Sequence, residues 1–464
     1  AGYTGDGVRG EVFDVGFNLG HPDFASRPPI EHGPEVGLDS HGTACLGILF
    51  GDGSGDARAR GLLPAGQPIA ADANKIDLGG QGRYDHTAEL KEPPYNAVFQ
   101  SASVGSARPN EYTTVAAEHD AMLFDHDLLH CQSQSNAGTR ASRPQAWAKN
   151  VVSGGGVLHY DTADTNDDCW CGSASVGPAA DGRIKPDLVF YYDDVYTTHS
   201  VFDEYGNFGG TSASTPSICG HFGLLFEMWA DGIFGNDVDP AGSVFDNRPH
   251  MTTAKALIIN TADPYPFSGR NADMARVHQG WGVPDVQALH DLREEISFVD
   301  ESVLLENTER AVFNTWVEEG THPLKVTLTY ADPAGNPAAS IHRINDLTVK
   351  VTSPSGTVYW GNHGLLEGNW SRPDGLKTGG GAAWAYDVMS KPGFPFQTSS
   401  VWGKIIFSET GDLPKELVEE GVTPARPLPL EFEYNLPEDS EVTVALFNDK
   451  GTMVRNIAVE AERL

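Results

Sequence analysis

The chain's 464 residues suffice for about three domains, and with 39% hydrophobic and 20% charged residues it buries a core, which excludes a disordered chain. Its 64 Asp and Glu against 31 Lys and Arg give a net charge of −33. That surface repels nucleic acid and anionic membrane, and suits multivalent cations, a high-salt setting or plain solubility. No run of roughly 18 apolar residues exists, so no transmembrane helix is expected. No signal peptide is visible, and the start at Ala1 directly before a strand pattern reads as that of a mature or trimmed chain.

In chain order, Val8 to Gly16 reads as a strand ending in Asp14 and a glycine turn. Asp39-Ser40-His41-Gly42-Thr43 opens a helix whose following face is small and apolar, with His41 in its first turn or as its cap. Pro68 to Asp72 is a strand, and Gly79 to Tyr84 a flexible loop before a helix. Ala97 to Val104 is a buried strand opening into Gly105, and Ala116 to Phe124 a helix. Leu128 to Gln132 is a strand followed by the turn Ser135-Asn136-Ala137-Gly138, and Val151 to Val157 is another strand.

Gly209-Gly210-Thr211-Ser212-Ala213-Ser214-Thr215-Pro216 then leads into an apolar helix running to about Trp229, and Thr253 to Ala262 is a further helix. The glycines permit a tight turn, and the helix N-terminus offers unpaired N–H groups to an anion or simply to a capping hydroxyl. Alternating strands and helices to about residue 295 predict a parallel sheet wrapped by helices.

Beyond residue 296 the period changes to two. Leu324 to Tyr330, Leu347 to Val351, Val358 to Trp360 and Trp402 to Phe407 read as antiparallel strands. A Pro/Glu-rich linker from Leu413 to Leu428 precedes two more strands, Leu430 to Tyr434 and Val442 to Phe447. The expected division is 1–296, 297–412 and 413–464, the last ending in mid-pattern at Leu464. Of five cysteines, Cys45 and Cys219 sit in apolar helical patterns and Cys131 at the end of a strand, all three reading as buried thiols. Cys169 and Cys171 flank Trp170 in an Asp-rich loop, and two ligands without a second pair argue against zinc.

Acid, histidine and serine therefore stand in the order Asp14, His41, Ser212, each at the edge of a strand–helix unit. A serine hydroxyl is a poor nucleophile until a base takes its proton; an imidazole does so near neutral pH, and a carboxylate holds its tautomer and stabilises its cation. With Asp14-Val15-Gly16, His21-Pro22-Asp23, His41-Gly42-Thr43 and Gly210 to Pro216, the chain resembles the subtilisin-like serine proteases over roughly residues 5–295.

The resemblance implies a three-layer α/β domain with Ser212 as nucleophile, His41 as base and then acid, and Asp14 as orienting carboxylate. Asn136 would be the oxyanion donor beside the Ser212 N–H. Ser135 stands where the family usually has glycine, and Gln132 and Gln134 where it usually has alanines, so the residue preferred before the scissile bond is not fixed. Ser103-Val104-Gly105 resembles one substrate-binding strand and Gly82-Arg83-Tyr84 the opposing one, with Ser135 and Thr211 nearby; Arg83 on that rim is either an anchor for acidic residues or merely solvated.

Cys45 occupies the place of a cysteine in kexin-like and thiol-containing subtilases, which implies mercurial sensitivity rather than a thiol nucleophile. Residues 297–412 resemble the jelly-roll-like β-sandwich of some bacterial subtilases, through Arg343 to Val349 and Pro354 to Thr357. Residues 413–464 resemble a small immunoglobulin-like module. Subtilases need no cofactor for catalysis but often carry calcium, and Asp161, Asp164, Asp167 and Asp168, or Asn236, Asp237 and Asp239, crowd loops that could hold it. An acidic chain clusters aspartates anyway.

The expectation is a secreted or cell-surface-associated monomeric endopeptidase, made with a propeptide and acting on extended peptide or unfolded protein. A transpeptidase or peptide cyclase would keep the acyl-enzyme but shield it from water. A non-catalytic binding or adhesion protein would need a broken triad.

Overall fold

The computed structural model describes residues 2–76, 80–105, 107–199, 202–265, 275–305, 310–315, 323–353, 357–365, 370–373, 402–408, 428–435, 440–447 and 460–462. Six strands, β1 (Arg9–Asp14), β2 (Ile30–Glu31), β3 (Gln67–Asp72), β4 (Phe99–Ala102), β5 (Leu129–Ser133) and β6 (Val152–Gly154), build the central sheet. They lie in the order β2-β3-β1-β4-β5-β6, every pair parallel. This is the parallel sheet wrapped by helices that the alternation of elements predicts, in the subtilisin-like α/β form that the resemblance implies.

Pleating sends alternate side chains of β1 to opposite faces. Val12 enters the large core shared with α1 (Ser40–Phe50), while Phe13 meets Arg83 and His86 of α2 (Gly80–Glu89). Helix α3 (Thr114–His126) lies beside α2. The other layer is organised by α4 (Thr211–Ala230), buried along nearly its whole length and backed by α5 (Met251–Thr261). Phe222, Leu225 and Phe226 of α4 are essentially fully buried, each contributing about 1.5–3 kcal/mol of hydrophobic stabilisation. A hairpin unforeseen in the sequence, β7 (Val195–Thr198) with β8 (Tyr205–Phe208), covers α1, and Thr198 Oγ1 donates to Thr43 O at 2.8 Å.

The strands beyond 296 are β9 (Ile296–Leu305), β10 (Arg310–Thr315), β11 (Pro323–Thr329), β12 (Asp346–Thr352), β13 (Val358–Trp360), β14 (Trp402–Ser408), β15 (Leu428–Asn435), β16 (Ser440–Phe447) and β17 (Glu460–Glu462). They pair antiparallel in two sheets, β13-β12-β15-β10-β17 and β14-β11-β16-β9. β15 lies between β12 and β10, and β16 between β11 and β9. The expected boundary between 412 and 413 therefore does not separate two modules, because strands from both sides of it interleave. Sequence order hides this: the period-two pattern marks each strand but not its partner. Of the expected linker from Leu413 to Leu428, residues 413–427 lie outside the described residues and Leu428 opens β15.

Buried polar contacts join the two regions: Thr329 Oγ1 donates to Thr252 O at 2.6 Å, Asn260 Nδ2 to Thr327 Oγ1 at 2.8 Å and Lys149 Nζ to Pro333 O at 2.9 Å. Among the described residues no helix is long and apolar enough to cross a membrane.

Candidate active site

Asp14 is the last residue of β1, at the carboxyl edge of the parallel sheet where such folds build their sites, and it is fully buried. Its Oδ1 accepts from the Val15 N–H at 2.7 Å and faces His41 Nδ1 at 2.6 Å. His41 sits in the first turn of α1, held there because the Asp39 carboxylate caps the helix by accepting the His41 N–H at 2.7 Å. The capping residue is thus Asp39, not His41.

The other ring nitrogen, Nε2, lies 3.1 Å from Ser212 Oγ. Phe208 meets the imidazole edge-on with centroids 5.2 Å apart. Burial disfavours the imidazolium, but the hydrogen bond and charge of Asp14, aided by Asp39 and opposed by Arg143, outweigh it and raise the His41 pKa. The proton on Nδ1 is thereby assigned to the Asp14 side, leaving the Nε2 lone pair toward Ser212.

Ser212 is in the first turn of α4, 8% exposed, behind Gly210 at φ 84°, a left-handed position that glycine fills without strain. Its N–H is one of the helix-start donors with no intrahelical partner. Pro216, four residues on, has no N–H and so leaves the Ser212 carbonyl without its helical partner. Two side chains replace it: Ser103 Oγ donates to Ser212 O at 3.1 Å and Cys45 Sγ at 3.4 Å. The serine's own turn is therefore anchored from both the α1 side and the end of β4. Burial above all, then the Asp14 charge, pushes the Cys45 thiol well above its ordinary range, so it stays protonated.

Asn136 follows β5 and is exposed. Its Oδ1 accepts from the Thr211 N–H at 2.9 Å and from Thr211 Oγ1 at 3.0 Å. With the amide oxygen so engaged, the Nδ2 group is the end left to donate. Ser135 holds φ 101°, a backbone region that disfavours side chains. Its N–H donates to Thr211 Oγ1 at 3.2 Å and its carbonyl accepts from the Ser175 N–H at 2.7 Å. Gln132 and Gln134 are buried, and Gln132 Nε2 donates to Val104 O at 2.8 Å.

The structure places Ser103, Val104 and Gly105 directly after β4, with Ser103 against the serine turn. The Gly105 carbonyl already accepts from Arg143 Nη1 at 2.7 Å, a partner the sequence did not reveal because Arg143 lies 38 residues away. The expected opposing strand is overturned: Gly82, Arg83 and Tyr84 lie within helix α2, not on a rim. The helix is favoured because Glu118 Oε2 accepts the Gly80 N–H at 2.9 Å, Gln81 Nε2 reaches Asp85 Oδ1 at 2.6 Å, and Arg83 finds a buried place. The Arg83 guanidinium lies 3.9 Å over the Phe13 ring and bonds Gln100 Oε1; burial lowers its pKa to about 10 against the pull of Glu11. Tyr84 donates to Asp125 Oδ2 at 2.8 Å.

Among the described residues the loop of Asp161, Asp164, Asp167 and Asp168 does not bring three of its carboxylates within 4.8 Å of one another. Asp164 Oδ1 instead accepts from Asn166 N–H at 3.0 Å, Asp167 Oδ1 from Thr162 Oγ1 at 2.9 Å and Asp168 Oδ2 from Tyr265 at 2.7 Å, while Asp161 is exposed. Asn236 Nδ2 donates to Trp229 O at 2.8 Å, Asp239 Oδ1 accepts from the Ala241 N–H at 2.9 Å, and Asp237 lines a cavity with Asp246 and Asp300. Cys169 and Cys171 form a disulfide, and the Gly172 beside it packs against Gly138 of the Asn136 turn.

A sequence model described as the subtilase family matches residues 5–282. Serine protease AprX of Bacillus subtilis (strain 168) is 23% identical over 266 residues, covering 49% of this chain and 59% of AprX, so the chain spans less than two thirds of that relative's length. Thermitase of Thermoactinomyces vulgaris is 24% identical over 230 residues, 48% of this chain and 75% of thermitase. Among solved structures, the prenylagaramide maturation protease PagA is similar with TM-score 0.48 and 15% identity over 61% of this chain and 92% of that one. The PatG macrocyclase in complex with peptide is similar with TM-score 0.49 and 11% identity over 62% and 92%.

Proposed function

Because the chain belongs to the subtilase family, we infer that it is a secreted serine endopeptidase working through Asp14, His41 and Ser212. The observation that carries this is the unbroken relay from Asp14 Oδ1 to His41 Nδ1 at 2.6 Å and from His41 Nε2 to Ser212 Oγ at 3.1 Å. Ser212 Oγ attacks the scissile carbonyl as its proton passes to His41 Nε2. Asp14, which is buried, holds the ring and stabilises the imidazolium. Oxyanion charge is met by Asn136 Nδ2 and the Ser212 N–H. His41 then gives its proton to the departing amine, and water activated by the same imidazole releases the acyl group from Ser212.

The substrate is an extended peptide or unfolded chain laid along Ser103-Val104-Gly105, where it shares the Gly105 carbonyl with Arg143 or displaces it. An exposed Cys171 in a disulfide with Cys169 suits an oxidising, extracellular setting. The test is cleavage of unfolded casein by the purified chain. Cleavage lost in Ser212→Ala supports the reading; no cleavage by the parent chain, or equal cleavage by Ser212→Ala, contradicts it. An added amine nucleophile, with products read by mass spectrometry, separates hydrolysis from ligation.

A further inference from the structure

One residue of β1 breaks the apolar logic of the sheet face against α2. Glu11 is fully buried, three residues before Asp14, beneath His32 just beyond β2 and His86 on α2. His32 Nδ1 lies 2.6 Å from Glu11 Oε1, and His86 Nε2 lies 3.0 and 3.2 Å from its two oxygens. His32 is 0% and His86 6% exposed, and their rings stack with centroids 3.8 Å apart. One ligand atom from each of the three side chains falls within 4.8 Å of the others.

We propose that Glu11, His32 and His86 supply three ligands of a site for a divalent transition metal of the zinc class, with a water as the fourth. Around a tetrahedral ion with bonds of about 2.0–2.1 Å, neighbouring ligand atoms stand about 3.3 Å apart; His86 Nε2 is already near that spacing from Glu11, while His32 Nδ1, at 2.6 Å, must draw back by about 0.7 Å and the two stacked rings must swing apart as the ion enters. Two imidazoles and one carboxylate select such an ion over calcium or magnesium, which take oxygen.

His32 and Glu11 each have an outer contact of the kind a ligated metal uses. A metal-bound imidazole donates its other N–H to a carboxylate, and His32 Nε2 faces Glu89 Oε2 at 3.2 Å. A ligating carboxylate is itself hydrogen-bonded, and Gln100 Nε2 donates to Glu11 Oε2 while Arg83 Nη2 holds Gln100 Oε1. Such an ion ties β1, the segment after β2 and α2 together behind Asp14.

The test uses the full chain carrying His41→Ala, which removes the other place where three such side chains converge among the described residues, Asp14, His41 and Cys45. Cobalt(II) and zinc(II) are titrated with metal content and visible absorption as readouts, and calcium(II) serves as the control. One cobalt per chain with a tetrahedral spectrum is expected, abolished in His86→Gln. Glu89→Gln, a surface change on a side chain 66% exposed, should bind about 10–100-fold more weakly. The proposal is overturned by an octahedral cobalt spectrum, by no bound cobalt, by calcium competing equally, or by undiminished affinity in Glu89→Gln.

Discussion

Asn136 Oδ1 accepts two hydrogen bonds from a single residue, the Thr211 N–H at 2.9 Å and the Thr211 hydroxyl at 3.0 Å. The residue preceding the serine thus decides which end of the amide faces the reacting carbonyl. Thr211→Val keeps the N–H contact but removes the hydroxyl's bond to Asn136 and its acceptance of the Ser135 N–H, each worth about 0.5–1.5 kcal/mol, so kcat should fall by about tenfold or more with KM nearly unchanged. Asn136→Ala should cost about 10²–10³ in kcat, the range known for such a donor in subtilisin. Steady-state kinetics on one peptide checks both.

The pH profile follows from His41. Its pKa is raised, and only the neutral ring can take the Ser212 proton. kcat/KM should therefore rise with pH through a midpoint above the ordinary imidazole value of about 6.5. Asp14→Asn removes the partner that raises it, and the residual activity should titrate at lower pH. For stability the sign is opposite: the contribution of protonated His41 is present below about pH 6.5 and lost as pH rises through its elevated pKa.

His250 makes the same argument away from the site. The hydrogen bond and charge of Asp127, with Glu301 and Asp300 behind it and burial opposing, raise its pKa to about 9. Its stabilising contact at the start of α5 should be intact below about pH 6.5 and disappear as pH rises through about 9. Melting temperature against pH should show this fall in the parent chain and a flatter profile in Asp127→Asn. The ring is 40% exposed, so solvent screening keeps the effect small.

Ser135 at φ 101° carries backbone strain of about 1–3 kcal/mol, against which glycine's unfolded-state entropy weighs about 0.5–1 kcal/mol. Ser135→Gly should raise stability by about 1 kcal/mol in denaturant unfolding.

Cys45 is buried with its ligand atom within 4.8 Å of those of Asp14 and His41. Mercurials should inhibit the parent chain, and Cys45→Ala should lose that sensitivity while remaining active, since Ser103 still holds the Ser212 carbonyl.

Much of the first 296 residues was legible because period and punctuation agree there: Gly210 before a buried apolar helix, Asp39 before His41, and an acid closing a strand. Arg83 was misread because a glycine-rich run looks like a loop, and nothing local shows that Glu118 and Gln100 would supply a helix with its cap and its arginine with a partner. The pairing of Cys169 with Cys171, the role of Arg143 and the interleaving of β15 and β16 are long-range or geometric facts that no spacing rule contains. Glu11 was passed over inside a strand; its signal is a carboxylate between Gly10 and Val12 at a position facing the interior.

The most direct measurement of the central claim is labelling with a fluorophosphonate probe followed by peptide mapping. One adduct per chain on Ser212, lost in His41→Ala, is the predicted result. An unlabelled parent chain, or an adduct on another residue with Ser212 free, would contradict it.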